Sequence, residues 1–126
     1  MTSVSVSGFP NLFILTGPNT LPSGHSTLIG IESSVEYIIR LLRVVGKGTT
    51  ARAKLDVKPG AQASYNERIQ KRLSRLIYSS DVANWYTDES SGRNTLIWPG
   101  SQFEFWWSRC VSRIRWEDFD LDRRTA

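Results

Sequence analysis

The stretch of residues 26–44, S-T-L-I-G-I-E-S-S-V-E-Y-I-I-R-L-L-R-V, decides how this chain begins to fold. Its apolar residues recur every three or four positions, which places them along one face of a helix. They are Leu28, Ile31, Val35, Ile38 and Leu42. Ser26 stands at a typical N-cap position, Gly46 follows as a stop signal, and Glu36 and Arg40 have the i,i+4 spacing of a helical ion pair. We predict a long helix over residues 26–44, buried on more than one side.

The segment before this helix has two parts. Residues 11–16, N-L-F-I-L-T, form a short apolar run of the kind that is typical of a buried strand. Residues 17–24 contain two prolines and two glycines, which predicts a loop. A loop that enters a capped helix presents free backbone N–H groups and the positive end of the helix dipole. The sequence therefore predicts a place where developing negative charge is stabilised.

A second helix is expected after a polar connection. Residues 45–58 are polar and contain glycine, and we predict at most one short strand there. Pro59 then begins an amphipathic helix that runs to about Tyr78. Its apolar face is formed by Tyr65, Ile69, Leu73 and Leu76.

The last third of the chain predicts a hairpin and a short helix. The β-prone residues 85–87 and 95–98 flank a turn sequence, as in a hairpin with a loop. Ser101 is placed to cap a helix over residues 102–110, and the tail from Glu117 is expected to fray. The expected fold of this chain is a partial α+β unit made of a buried strand, a long helix, an amphipathic helix, an aromatic hairpin and a short helix.

The composition is that of an ordinary globular domain. The chain has 126 residues, of which 40% are hydrophobic and 22% charged, and this excludes disordered and collagen-like classes. Because Cys110 and His25 are the single cysteine and the single histidine, an intramolecular disulfide, a thiolate zinc cage and a two-histidine metal site are excluded. No apolar run has the length of a transmembrane helix or a signal peptide. These features favour a cytoplasmic protein.

The charge and the aromatic residues are unevenly distributed. Residues 40–75 hold ten lysines and arginines against Asp56 and Glu67, a net charge of +8 in a chain of net charge +4. Such a window is either a solvated helix face or a surface for phosphate or nucleic acid, and the second reading needs the charges to converge. All five tryptophans lie in the last third, and Trp98, Trp106 and Trp107 have apolar neighbours. We predict that these three tryptophans are packed in the interior.

No self-contained catalytic set is present in the sequence. His25 is interpreted as a loop histidine near a helix start, because no carboxylate stands at a spacing that marks it as a partner. Cys110 is interpreted as an inert core residue, and Glu32 and Glu36 as a solvated edge or ion-pair partners. No glycine-rich dinucleotide loop and no P-loop occur.

Eight short motifs are distributed along nearly the whole chain. They are Gly8-Phe9-Pro10-Asn11-Leu12-Phe13, Gly17-Pro18-Asn19-Thr20, Gly24-His25-Ser26, Ile31-Glu32, Glu36-Tyr37-Ile38, Trp85-Tyr86, Gly92-Arg93-Asn94-Thr95 and Trp98-Pro99-Gly100-Ser101. In order and spacing, this set resembles the C-terminal part of flavin-dependent monooxygenases of the Baeyer–Villiger type.

The resemblance implies a large α/β enzyme with two dinucleotide-binding domains. NADPH reduces FAD in such an enzyme, and one oxygen atom from O₂ is inserted into a ketone or another small organic substrate. The resemblance also implies cofactor-binding positions in this chain. Ser26 and Thr27 would lie nearest the flavin ring, Gly17 and Pro18 in the supporting turn, and Trp85 on the NADP and substrate side.

The chain also departs from the family pattern. It lacks the glycine-rich loop that binds FAD, the loop that binds NADPH and the histidine-containing sequence motif that the family has between them. We therefore expect residues 1–126 to be a C-terminal fragment without a complete dinucleotide-binding domain, and inactive alone. Its partner would be the missing FAD- and NADPH-binding part, which would cover residues 12–15 and one side of the helix over residues 26–44. We expect no nucleic-acid partner and no membrane span. The alternative is a small basic module that binds phosphate or nucleic acid, or a structural interaction module.

Overall fold

A computed structural model describes residues 3–22, 24, 26–46, 52–76 and 86–124. Within these residues the chain is a small α+β unit, as predicted. The regular elements, in chain order, are β1 (Leu21–Pro22), α1 (Thr27–Val45), β2 (Arg52–Val57), α2 (Pro59–Leu73), β3 (Ile97–Trp98), α3 (Gln102–Trp106), a π-helical turn (Trp107–Val111), a 3-10 turn (Trp116–Asp118) and β4 (Phe119–Arg124).

The long helix α1 confirms the element predicted over residues 26–44, but its buried face is not the predicted one. Its buried residues are Gly30, Ser33, Ser34, Tyr37 and Leu41. The hydroxyls of Ser33 and Ser34 donate to carbonyl oxygens one turn earlier in the helix, so these polar side chains are satisfied in the interior. In the predicted apolar stripe, Leu28, Val35 and Leu42 are exposed, Leu28 by 71%. The expectation that α1 is buried on more than one side is wrong, and its uncovered side is apolar.

The expected strand at residues 11–16 is not formed. Asn11 has a left-handed backbone with φ of 61°, which interrupts an extended chain. Its side chain accepts a hydrogen bond from the amide of Leu55 at 2.9 Å. Phe13 forms only an isolated bridge to Ser5, and Leu12 and Leu15 are exposed. Of residues 12–15, which were expected to be exposed without a partner, Leu12 and Leu15 are exposed, whereas Phe13 packs against buried residues of the interior.

Two short sheets join distant parts of the chain. Strands β2 and β4 are antiparallel, with Leu55 opposite Leu121 and Val57 opposite Phe119. Residues 119–124 are thus an ordered strand, and the prediction that this segment frays is wrong because pairing across the sheet supplies the hydrogen bonds that local sequence does not. Strands β1 and β3 are parallel, with Leu21 opposite Ile97.

The amphipathic helix α2 is confirmed with Pro59 at its start, although it ends at Leu73. Its buried residues are Tyr65, Ile69 and Leu73, while Leu76 is exposed. Tyr78, where the prediction ended this helix, lies outside the described residues. The predicted hairpin is reduced to one bridge between Thr87 and Asn94, followed by a hydrogen bond from the amide of Thr95 to the carbonyl of Tyr86.

The short helix α3 begins as predicted, because the Ser101 hydroxyl accepts a hydrogen bond from the amide of Glu104 at 3.1 Å. The helix then widens into the π-helical turn. Trp98 is buried, but Trp106 is 39% and Trp107 49% exposed, so the predicted burial holds only for Trp98. The helix is five residues long and buries Phe105, while Trp106 at its end and Trp107 at the start of the π-helical turn remain exposed.

The interior consists of two clusters of buried side chains. One joins the N-terminal segment and α1 to the larger sheet, and contains Val4, Tyr37, Leu41, Leu55, Val57 and Phe119. The other joins α2 to β3 and α3, and contains Tyr65, Ile69, Leu73, Ile97, Trp98 and Phe105. The first cluster depends on residues from both ends of the described chain.

Candidate cofactor-facing site

The loop that precedes α1 is a packed turn. A Cβ atom added at Gly17 would overlap the carbonyl oxygen of Ser3, so the backbone of Ser3 lies where a side chain would stand. The Thr20 hydroxyl donates to the carbonyl of Gly17 at 2.6 Å. Pro18, between them, is exposed. Of the two predicted turn residues, Gly17 therefore supports the loop and Pro18 is available at the surface.

Asn19 ties this loop to the segment that follows the hairpin. It is buried and has φ of 56°, a conformation that asparagine tolerates better than most residues. Its side-chain amide donates to the carbonyl oxygens of Asn94 at 2.8 Å and Ile97 at 3.0 Å, and its backbone amide donates to Thr95 at 2.9 Å. Two of the motifs that carried the resemblance, residues 17–20 and 92–95, are thus brought together.

Asn94 also forms hydrogen bonds through its own side chain, within the segment to which Asn19 is bound. Its side-chain oxygen accepts from the backbone amides of Leu96 at 3.2 Å and Ile97 at 3.0 Å. Sequence reasoning did not single out either asparagine. The Gly-Pro-Asn order was the available signal, because asparagine is favoured at left-handed turn positions.

The start of α1 is open. Ser26 occupies the N-cap position but its side chain makes no capping hydrogen bond, so only the position of the cap was predicted correctly. Ser26, Thr27 and Leu28 are all exposed, and no acidic residue stands in the first turn. The side chain of Gln102 donates to the carbonyl of Ser26 at 2.9 Å, which holds α3 beside this helix start. The positive end of the helix dipole therefore faces outward without a local anion.

One predicted cofactor-binding position and the loop histidine are not among the described residues. Trp85 and His25 both lie outside the described residues. The structure describes the other four predicted positions, Gly17 and Pro18 in the packed loop and Ser26 and Thr27 at the start of α1.

A buried arginine lies between the two clusters of the interior. Arg109 has no exposed surface, and its guanidinium lies 3.4 Å from the ring centre of Phe105 and 5.6 Å from that of Trp98. It donates to the hydroxyl of Ser3 at 2.6 Å, and its Nε has no hydrogen-bond partner among the described residues. Burial lowers the pKa of Arg109 to about 10 and raises the pKa of the neighbouring Tyr37 to about 12. No sequence signal marked this arginine as an interior residue.

Three of the lysines and arginines of residues 40–75 have partners in different segments of the described structure. Arg40 does not pair with Glu36 as predicted, because its guanidinium donates to the backbone carbonyls of Arg109 and Ser112. Lys58 lies 3.8 Å from the carboxylate of Asp120 on β4.

A third charge of this window has a separate partner. Arg72 forms an ion pair of 2.6 Å with Glu104 on α3, and this hydrogen-bonded contact lowers the pKa of the Glu104 carboxyl. Arg40, Lys58 and Arg72 thus hold three different segments in place. This weakens the alternative of a phosphate or nucleic-acid surface.

Cys110 and the two glutamates of α1 lie together in a groove between α1 and the π-helical turn. The thiol is half-buried, and burial raises its pKa, in agreement with an unreactive residue. Among the residues that the structure describes, no group of histidine, cysteine and carboxylate side chains could hold a metal ion. No described helix is long and apolar enough to cross a membrane.

Comparison with known proteins gives relatives of one kind. The chain is 40% identical over 105 residues to a Baeyer–Villiger monooxygenase of Streptomyces coelicolor, and 37% identical over 102 residues to one of Pseudomonas aeruginosa. Each alignment covers 80% of this chain. The FAD-binding monooxygenase ktnD of Aspergillus niger is 32% identical over 122 residues, which is 94% of this chain.

These comparisons confirm the resemblance that the motifs indicated. The Aspergillus relative is named as an FAD-binding monooxygenase, which supports FAD as a cofactor in the family. The chain spans only 19% of the length of each of these three relatives. No family model matches it.

Proposed function

Because this chain is related over most of its length to flavin-dependent monooxygenases of the Baeyer–Villiger type, we propose that it forms the C-terminal part of an FAD- and NADPH-dependent monooxygenase. The reaction would insert one oxygen atom from O₂ into a ketone or another small organic substrate. The observation that carries the proposal is the sequence identity of 40% over 105 residues, which is 80% of this chain.

The residues of this chain fit one wall of a flavin site. The first turn of α1 at Ser26 and Thr27 offers outward-facing backbone dipoles, which suit the electron-rich edge of a flavin ring. Gly17 and Pro18 would support that wall, and Trp85 would lie on the NADP and substrate side. When bound, FAD supplies the redox chemistry with O₂, using electrons from NADPH. The groups that hold the FAD pyrophosphate must come from outside this chain, because it has no glycine-rich dinucleotide loop.

The chain alone is therefore expected to lack monooxygenase activity. Purified residues 1–126 mixed with FAD and NADPH should show no bound-flavin absorbance and no NADPH-dependent oxygen uptake, since one wall cannot retain the cofactor. A visible spectrum after desalting and an oxygen electrode measure both. A protein-bound flavin spectrum with oxygen uptake would contradict the division of the site that we propose.

The helix start can be tested in a chimera of the Streptomyces coelicolor enzyme whose matching 105 residues are replaced by those of this chain. In that chimera, Thr27→Pro removes one backbone N–H at the first helical position while leaving the helix intact, because proline is tolerated there. We expect FAD to bind roughly two- to tenfold more weakly, which corresponds to the loss of a hydrogen bond of about 0.5–1.5 kcal/mol.

The matched control is Thr27→Ala, which keeps the backbone N–H and should retain the FAD content of the parent chimera. If Thr27→Pro bound FAD as tightly as Thr27→Ala, the helix start would not be at the ring. A chimera that folds but never binds FAD would contradict the proposed function itself. Salt-sensitive binding of the isolated chain to DNA, tighter than about micromolar, would favour the basic-module alternative.

A further inference from the structure

A groove runs between α1 and the segment formed by α3 and the π-helical turn. Its volume is about 540 Å³, and it is lined by Ile29, Glu32, Ser33, Glu36, Trp106, Cys110 and Val111. Ile29, Trp106 and Val111 are all large apolar residues that remain exposed. The groove thus combines an uncovered apolar floor with two carboxylates.

Three aromatic rings extend the apolar surface beside the groove, and we call Phe103, Trp106 and Trp107 the aromatic cluster. Phe103 is 66% exposed, and its ring centre lies 5.7 Å from that of Trp106 and 6.0 Å from that of Trp107. Clustered exposed aromatic residues mark interaction surfaces, because tryptophan and other large rings contribute much of the binding energy when they are covered.

No ion pair among the described residues neutralises the carboxylates of the groove, although the guanidiniums of Arg40 and Arg109 lie near enough to lower the pKa of Cys110 against the effect of burial. Glu32 is exposed and Glu36 half-buried, and neither forms an ion pair with another described residue. Arg40, one turn after Glu36, donates instead to the carbonyls of Arg109 and Ser112. A chain of net charge +4 therefore keeps an acidic edge beside its apolar groove. Charge complementarity therefore favours an occupant that presents lysine or arginine next to an apolar side chain.

The position of the groove indicates which partner brings that occupant. Ile29 lies two residues after Thr27, so a segment seated in the groove is adjacent to the open start of α1. The relatives are more than five times longer than the part this chain matches, which leaves most of their length to supply a covering segment.

We propose that the groove between α1 and the π-helical turn docks a segment of the FAD-binding part of a flavin monooxygenase, in which an apolar side chain stands beside a lysine or arginine. The assignment of the partner rests on the proposed function. Contact of the apolar side chain with Ile29 and Trp106, and of its basic neighbour with Glu32 and Glu36, then fixes the start of α1 against the cofactor-binding part.

The chemistry of the groove can be tested on the full chain with two synthetic amphipathic peptides, one of leucine and lysine and one of leucine and glutamate. The lysine peptide should bind with a shift of the tryptophan emission to the blue, because it covers Trp106 in the groove. The glutamate peptide should bind at least about tenfold more weakly, a difference of about 1.4 kcal/mol. Equal binding of the two peptides would overturn the proposal.

A pair of variants locates the effect. Glu32→Gln with Glu36→Gln should abolish the preference for the lysine peptide and leave the weaker apolar binding. The matched control is Glu67→Gln with Glu89→Gln, which removes two exposed carboxylates elsewhere and should keep the preference. A preference that survives the first pair of changes would overturn the assignment of the acidic edge.

The partner itself is tested by co-expressing the tagged full chain with the part of the Streptomyces coelicolor enzyme that the chain does not match. A complex that copurifies and is lost on Glu32→Lys with Glu36→Lys supports the proposal. A chain that instead forms dimers abolished by the same two changes would overturn the choice of partner. Because the peptides are read out without flavin, an inactive chimera with an intact lysine preference would contradict the proposed function alone.

Discussion

Replacing Trp98 by alanine is expected to lower the free energy of unfolding by about 3–5 kcal/mol, the usual loss for a buried tryptophan. Trp98 is only 5% exposed, and its ring meets Phe105 edge to face at 5.3 Å. Its indole nitrogen donates to the carbonyl of Ser101 at 3.2 Å, so the substitution removes packing and also leaves an acceptor without its donor.

The matched control is Trp107→Ala, which removes the same side chain from a position that is 49% exposed. This change should cost less than about 1 kcal/mol, as surface substitutions usually do. Urea unfolding followed by circular dichroism compares the two. Similar losses for Trp98→Ala and Trp107→Ala would show that the aromatic cluster is part of the interior, contrary to the structure.

Arg109 is the site of the second large effect. Arg109→Ala should lower the free energy of unfolding by about 3–5 kcal/mol, because it opens a cavity among Phe105, Trp98 and Tyr37 and removes the hydrogen bond to Ser3. Arg109→Met should be within about 1 kcal/mol of the parent or more stable, since it fills the same space without a buried charge.

Thermal unfolding of the parent and the two variants separates these outcomes. If Arg109→Met were as unstable as Arg109→Ala, the contacts of the guanidinium with Phe105 and Ser3 would be required for stability. Arg109 has no carboxylate partner among the described residues. The structure therefore favours a stable Arg109→Met variant and an unstable Arg109→Ala variant.

The elements that the sequence predicted well are those whose signal is local. The start and end of α1, the start of α2 at Pro59 and the cap at Ser101 depend on residues within a few positions. The strand expected at residues 11–16 failed, because an apolar run does not reveal that Asn11 adopts a left-handed backbone.

The tail after Glu117 and the buried face of α1 could not be predicted for a different reason. Strand β4 is stabilised by β2, some sixty residues away, and no local pattern encodes that pairing. The face of α1 that is buried carries serines and Tyr37, while its apolar stripe is exposed because nothing in the described structure covers it. At the candidate site, the resemblance indicated Gly17, Pro18, Ser26 and Thr27. The role of Asn19 could not be predicted, because its hydrogen-bond partners Asn94 and Ile97 are distant in the sequence.

The hydrogen bonds that close this fold span unusual lengths of chain. Ser3 and Arg109 are separated by 106 residues, and Asn19 is separated from Asn94 and Ile97 by 75 and 78. Contacts between such distant segments slow folding, because the entropy cost of closing a long loop is incurred before the stabilising contacts form. Apolar surface stays accessible during that delay, and partly folded chains then aggregate in proportion to their concentration. We therefore expect the yield of refolded protein to rise on dilution, which light scattering of refolding samples at several protein concentrations would measure.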